Sequence, residues 1–550
     1  TPVGKKLVKE LITRDLNHPC VVMWANGNEG GFNFELLPEY ALYDIQQRHV
    51  FHPWLEEEKA TTYHYPAYGI GTAFLFNGNK VFFPTEFMHG LYDGGHGAGL
   101  DDFWKLMQDN PLSAGGFLWD FADQGVVRSD RNGEIDTDGN HAADGIVGPY
   151  REKEGSFFTI KEIWSPIFIE GTSFLPPTFD GTFIVENRYH FTNLNQCDFT
   201  ARWVKFDFIH GEAFSLEAEV TVPDLLPGYK GLLEVEMPNR MSDYDALSIT
   251  ATDFYGREIY TWTRRVAPAH IFVSRLVEKG SGEVTREETD NNVVLRAGET
   301  ELGIDKSSGL INSLKVNGKS LSLGNGPRFV NEGMNFIGME SNTDNGVTRI
   351  ECSYRHEGRD RPGNRDRIKI GLLPSEWIEI DYTFDVGGFH DNIGVTFDYP
   401  EEKVKHIKWL GNGPYRVWKN RTKGVSFSIW EKDYNNTVTG ESWEYPEFKG
   451  YHSNIYAADI STEEGIIRVV FASDDLYLHL FTPDEPVKRN NDNTLGKFPE
   501  GDISFLNAIS PVGTKFKQAK DLGPQSQQNY FLSSGHAEPL KGKVYIKFIP

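Results

Sequence analysis

Cysteine is scarce. There are three in 550 residues, Cys20, Cys197 and Cys352, far apart and odd in number. No disulfide framework or metal-ligand spacing can be built from them, and they assign no redox compartment. Long apolar runs are missing too; none approaches the roughly 20 residues of a membrane-spanning helix. Positive charge is the third shortage. Lys and Arg number 55 against 79 Asp and Glu, a formal net charge of −24, which argues against nucleic acid or an anionic membrane as partner. Apolar residues make up 39% of the chain and aromatic ones 13%. Such a chain is long and apolar enough for about three or four domains with substantial cores. Aromatic rings also suit sugars, whose apolar faces stack on them, although core packing takes most of them.

The stretch Arg14 to Gly30, RDLNHPCVVMWANGNEG, carries the densest signal. Cys20 to Trp24 is a short apolar run and reads as a buried strand, since parallel strands covered on both faces lack polar alternation. Asn26, Gly27, Asn28 and Glu29 follow at once. A carboxylate at the C-terminal end of a buried parallel strand is where α/β barrels keep their catalytic groups; taken alone, a solvated Glu in a turn reads equally well. Val81 to Gly90, VFFPTEFMHG, is a second apolar run ending in Glu86, with His89 three residues on. Gly115 to Gly125, GGFLWDFADQG, reads as one more barrel strand. Two carboxylates at the ends of separate buried strands are what glycoside hydrolysis requires: one protonated to donate to the leaving oxygen, one ionised to attack the anomeric carbon.

These segments resemble glycoside hydrolase family 2, which includes β-galactosidases, β-glucuronidases and β-mannosidases. RDLNHPCVVMWANGNE is similar to the family's acid/base signature, PTEFMHG to its nucleophile segment and GGFLWDFADQG to its last barrel strand. HAADGIVG and KEIWSPI, residues 141–148 and 161–167, resemble the segment where the barrel hands over to the next domain. The resemblance implies a TIM (β/α)8 barrel whose fourth strand is the first one here. The chain is therefore expected to be the C-terminal part of a longer polypeptide, beginning inside the catalytic barrel, with its activity in isolation left open.

The resemblance also implies roles. Glu29 is matched to the acid/base and Glu86 to the nucleophile of a retaining hydrolase, their carboxyls roughly 5 Å apart. The charge of Glu86 holds the proton on Glu29; once a glycosyl ester neutralises that charge, Glu29 turns base. Asn28 is matched to the ligand of the sugar 2-hydroxyl, and Tyr68, aligned on Pro66, to the tyrosine that hydrogen-bonds the nucleophile. His89 is matched to a sugar-hydroxyl ligand and Trp119 to the tryptophan on which the sugar stacks. His141 and Asp144 stand where some relatives hold sodium with a Phe and an Asn, and are read as facing the substrate. Without the resemblance these are a turn Asn, core aromatics and a structural His. No cofactor is required on this reading; magnesium is compatible, but its ligands would lie mostly upstream of Thr1. The tryptophan that some relatives supply from the C-terminal end has no counterpart in the tail LGPQSQQNYFLSSGHAEPLKGKVYIKF.

The expected architecture is multidomain, α/β followed by all-β. Residues 1–170 form the C-terminal part of the barrel, with helices over Thr1–Thr13, Phe34–Gln47 and Ala98–Met107. Its strands lie in Arg48–Trp54, Thr61–Tyr68, Val81–Thr85 and Gly116–Trp119. Glu29 and Glu86 are 57 residues apart, short for three strands and two helices, so the crossover at Phe74–Lys80 is expected to be an abbreviated loop. From about Gly171 short alternating runs fit an immunoglobulin-like β-sandwich over residues 171–266. Residues 267–290 read as a charged linker. Residues 291–550 are all β and resemble the large C-terminal sandwich of the β-galactosidase branch, most clearly in KWLGNGPYRVWKNR, Lys408 to Arg421. The function expected is a retaining exo-hydrolase acting on terminal β-D-galactosides of an oligo- or polysaccharide. The alternatives are another family 2 specificity (glucuronide, mannoside or sulfated galactan) and a non-catalytic carbohydrate-binding fragment. Cytoplasm and periplasm are both compatible, and so is a homo-oligomer.

Overall fold

A computed structural model describes residues 1–55, 57–90, 96–137, 144–330, 333–344, 347–356, 365–434, 450–482, 496–532 and 538–550. The chain opens with helix α1, Pro2–Asp15. Thr1 caps it by accepting the amide of Gly4, and Pro2 fits the first turn. Val8 and Ile12, four residues apart, turn inward against Trp24 and Tyr40. Strand β1, Trp24–Ala25, pairs in parallel with β2, Val50–Phe51. Between them lies α2, Leu37–Tyr43. Strand β3, Ala60–Thr61, pairs in parallel with β4, Val81–Phe82, across α3, Tyr68–Asn77. The segment 112–119 continues the parallel set: Phe82 donates to Leu112 O, Phe87 to Phe117 O, and Trp119 back to Phe87 O. Helix α4, Leu100–Gln108, precedes it and α5, Gly155–Ile163, follows.

Three expectations change here. The strand read over Cys20–Trp24 is confined to Trp24–Ala25, with Val22 68% exposed. Among the described residues β1 pairs only with β2, so its other edge has no strand neighbour there. The crossover over Phe74–Lys80 contains most of a ten-residue helix rather than an abbreviated loop. The short connection is the one between β2 and β3, residues 52–59, and it saves the length that the spacing demanded.

Two β-sandwiches follow. Strands over 167–265 form two four-stranded sheets that share a core including Ile167, Trp203, Leu233 and Ile249. Strands from 285 to 549 form two much larger sheets and one two-stranded pair, all antiparallel. One core of Leu302, Ile380, Phe397, Trp409 and their neighbours lies between them. Burying each such side chain contributes about 1.5–3 kcal/mol. The stretch 267–290 is not a bare linker. It carries a helix, Ala269–Leu276, whose Phe272 is buried with Phe206 and Tyr456 where the two sandwiches meet. Residues 285–288 then add an edge strand to the large sandwich. The charges that suggested a linker lie on its outer faces.

The large sandwich also packs on the barrel. Phe82, Phe87 and Phe103 share a cluster with Trp418, Leu506 and Val512. Asp102, in the first turn of α4, accepts the backbone amide of Gln525 at 2.8 Å and its side-chain amide at 2.9 Å. This docking brings a loop of the sandwich, residues 511–517, over the ends of the barrel strands.

Candidate active site

Glu29 follows β1 on a turn that only glycine permits. Gly27 has φ +100°, and a Cβ there would lie 2.6 Å from the Phe32 ring. The turn leaves the Glu29 side chain 40% exposed. Asn28 beside it is exposed; the buried amide of this turn is Asn26, which donates to Asn33 O and contacts His52 Nε2. Glu86 lies beyond β4 and is 8% exposed. Its backbone is held from both sides, Tyr65 donating to Glu86 O at 2.8 Å and Phe87 to Phe117 O at 2.9 Å. The two carboxylates converge: oxygens of Glu29 and Glu86 and a nitrogen of His64 all lie within 4.8 Å of one another.

The tyrosine on the nucleophile candidate is Tyr65, whose hydroxyl donates to Glu86 Oε2. Burial and the neighbouring Glu86 charge raise the Tyr65 hydroxyl far above its ordinary range, so it remains a donor. Tyr68 does not take this place. It opens α3, which carries it out of the strand and against Phe103 of α4, ring centroids 5.3 Å apart.

His89 and Trp119 come to the same pocket, with their rings 6.2 Å apart. Asp144 lies beneath both. The Trp119 indole donates to its Oδ2 at 3.3 Å, and His89 Nε2 is 3.5 Å away. His141 lies outside the described residues. Asp120 follows Trp119, and burial, then Asp144, then Glu86, push its carboxyl up to about 6.

The sequence reading missed four side chains. Tyr65 and His64 come from the barrel, and Lys515 and Phe516 from the sandwich loop. The Lys515 amide donates to His89 O at 2.9 Å, and its ammonium stands 3.9 Å from Asp144 Oδ2. Phe516 packs on Tyr65 and His89, centroids 4.6 and 4.9 Å apart. The loop is fixed by Asn420, which bonds both the carbonyl and the amide of Val512. Asn420 belongs to the segment KWLGNGPYRVWKNR, so that segment positions the loop over the pocket. A groove of about 980 Å³ runs outward from Glu29 between Trp54, Tyr63 and Phe516.

Among the described residues Glu29, His64 and Glu86 are the one group of three His, Cys, Asp or Glu side chains close enough to share an ion. Both His64 nitrogens are already engaged, Nδ1 by Glu29 at 3.0 Å and Nε2 by Thr85 Oγ1 at 2.8 Å.

Residues 3–167 match the family model described as Glycosyl hydrolases family 2, TIM barrel domain. Over these residues the chain is similar to the family 2 barrel, and further likenesses are to β-galactosidases. It is 26% identical over 212 residues to the β-galactosidase of Priestia megaterium, covering 35% of this chain and 20% of that protein. Against the β-galactosidase of Actinobacillus pleuropneumoniae it is 22% identical over 359 residues, 58% of this chain and 34% of the relative. Against that of Yersinia enterocolitica it is 28% identical over 152 residues, 23% and 14%. The matched stretches thus span about a third or less of these relatives' length.

Proposed function

We propose that this chain forms part of a retaining exo-glycosidase that cleaves terminal β-D-galactosides by double displacement. The observation that carries the reading is the approach of the Glu29 and Glu86 carboxylates to within 4.8 Å. Retaining glycosidases hold their carboxyls about 5–5.5 Å apart, whereas inverting ones leave roughly 6.5–9.5 Å for a water molecule. In the first step Glu86 attacks C1 as the C1–O bond breaks, and Glu29 gives its proton to the leaving oxygen. In the second, Glu29 takes a proton from water, the water oxygen bonds to C1, and Glu86 leaves as a carboxylate. Tyr65 steadies the Glu86 charge before the attack and again as the carboxylate leaves. Trp119 offers a stacking face, and His89 and Asp144 offer polar atoms to sugar hydroxyls.

The pocket's charge supports a neutral sugar. Glu86, Asp120 and Asp144 surround it, and the ammonium of Lys515 stands toward Asp144. A glycone carboxylate there meets like charge, which disfavours a glucuronide. The test is hydrolysis of aryl β-galactoside, β-glucuronide, β-mannoside and β-glucoside by the full-length gene product, with Glu86→Gln as control. Galactoside activity lost in the variant is expected. Activity on another glycoside alone would keep the mechanism and discard the specificity.

A further inference from the structure

Among the described residues His64 lies against both halves of the catalytic pair. Its side chain is fully buried. Nδ1 lies 3.0 Å from Glu29 Oε1 and 3.7 Å from Glu86 Oε2. Nε2 lies 2.8 Å from the hydroxyl of Thr85, the residue that precedes Glu86. Thr85 has one proton to give. Its other acceptor, the carbonyl of Thr62, is 3.4 Å away, so Nε2 is the better placed one. A neutral ring that accepts at Nε2 carries its hydrogen on Nδ1, and a charged ring carries hydrogen on both. Either way Nδ1–H points at the carboxylates.

We propose that His64 is the positioning residue of the acid/base Glu29, assigning its two oxygens different tasks. This rests on the acid/base reading of Glu29 given above. Nδ1–H holds Oε1 as a permanent acceptor, so the transferable proton resides on Oε2, the oxygen left to face the substrate. In the first step that proton passes from Oε2 to the glycosidic oxygen as the C1–O bond breaks and the Glu86 ester forms. In the second, Oε2 takes a proton from water as water bonds to C1 and the ester breaks. His64 keeps its own proton throughout. Without it the Glu29 carboxyl, 40% exposed on a glycine turn, rotates and presents either oxygen.

The test compares two leaving groups in the full-length gene product, on the sugar that the glycoside panel selects. An alkyl glycoside needs the proton; a 2,4-dinitrophenyl glycoside leaves without it. His64→Phe keeps the ring and removes the donor; His64→Asn places an amide N–H near the Nδ1 position. His64→Phe is expected to lower kcat/KM on the alkyl glycoside by about 100-fold, the usual scale of acid catalysis. On the dinitrophenyl glycoside it should stay within about 3-fold, and His64→Asn should recover most of the alkyl activity. Equal losses on both substrates, or none on either, would overturn the proposal. Glu29→Gln run in parallel separates the two readings. If it shows no leaving-group selectivity, the acid/base assignment falls. If it shows selectivity and His64→Phe does not, only the role of His64 falls. Thermal melting of His64→Asn guards against a folding defect.

Discussion

The barrel and the large sandwich solve opposite problems. In the sandwich, strands run to ten or eleven residues, as in Val404–Gly413 and Met334–Asp344, and Leu302, Ile380 and Phe397 between the sheets are fully buried. In the barrel, β1 to β4 are two residues each. The positions beyond β3 and β4, which an apolar core would fill, hold His64, Glu86 and His89, and Asp144 reaches them from a later segment; all four are buried. Burying ionisable groups costs stability unless each is paired. The barrel accepts that cost where the chemistry is, and the sandwich supplies apolar burial and reaches across to finish the pocket. Stability and activity are thereby divided between regions.

The sharpest way to break this comparison is a pair of substitutions. Glu86→Gln should lower kcat by at least about 10⁴-fold while leaving the melting temperature unchanged or higher, because a buried charge is removed. Ile380→Ala should do the reverse. A fully buried Ile truncated in a packed core costs about 2–5 kcal/mol, and activity per folded molecule should hold. An active Glu86→Gln, or an Ile380→Ala with altered KM, would show that the division is false. The two tyrosines form the next pair. Tyr65→Phe removes the donor on Glu86 and should lower kcat by about 100-fold. Tyr68→Phe, on the α4 side, should change it by less than about 3-fold. Equal effects would return Tyr68 to the site.

The contrast also explains what could be read from sequence. Glu29 and Glu86 were legible because each carboxylate closes an apolar run within a segment that resembles a family 2 signature. The sandwiches were legible from period-2 alternation with glycine at the turns. Tyr65 was missed because two tyrosines flank Pro66 and the alignment chose the wrong one. The helical run from Tyr68, YGIGTAFLF, was the available signal that Tyr68 had left the strand. Residues 511–517 were not legible at all. Nothing local marks a loop that docks on another domain, and its position depends on contacts more than 90 residues away, such as Asn420 with Val512. The tail from Leu522 holds no tryptophan, and Phe516 stands just before it.

That loop supplies the intermediate prediction. Lys515→Met removes a buried ammonium facing Asp144 and Asp120. It should lower kcat/KM by about tenfold, mostly through KM, the scale of one hydrogen bond to a charged group. Phe516→Ala, at the 45%-exposed rim of the pocket, should cost less. If both leave KM unchanged, the sandwich braces the barrel without shaping its pocket.

The smallest effect expected is on stability and concerns Asp120. In the unfolded chain an Asp ionises near pH 4; in the folded barrel, burial, Asp144 and Glu86 push Asp120 up to about 6. Below about pH 4 the group is protonated in both states and contributes nothing. As pH rises from there through 6, the unfolded chain releases the proton first, so stability is lost across that window and stays lost above it. Asp120→Asn cannot ionise. It should therefore melt a few degrees above the parent at pH 7.5 and level with it near pH 4. A gap of the same size at both values would mean that the carboxylates of this pocket do not strain one another. The barrel would then carry its buried charges as cheaply as the sandwich carries its aliphatic core.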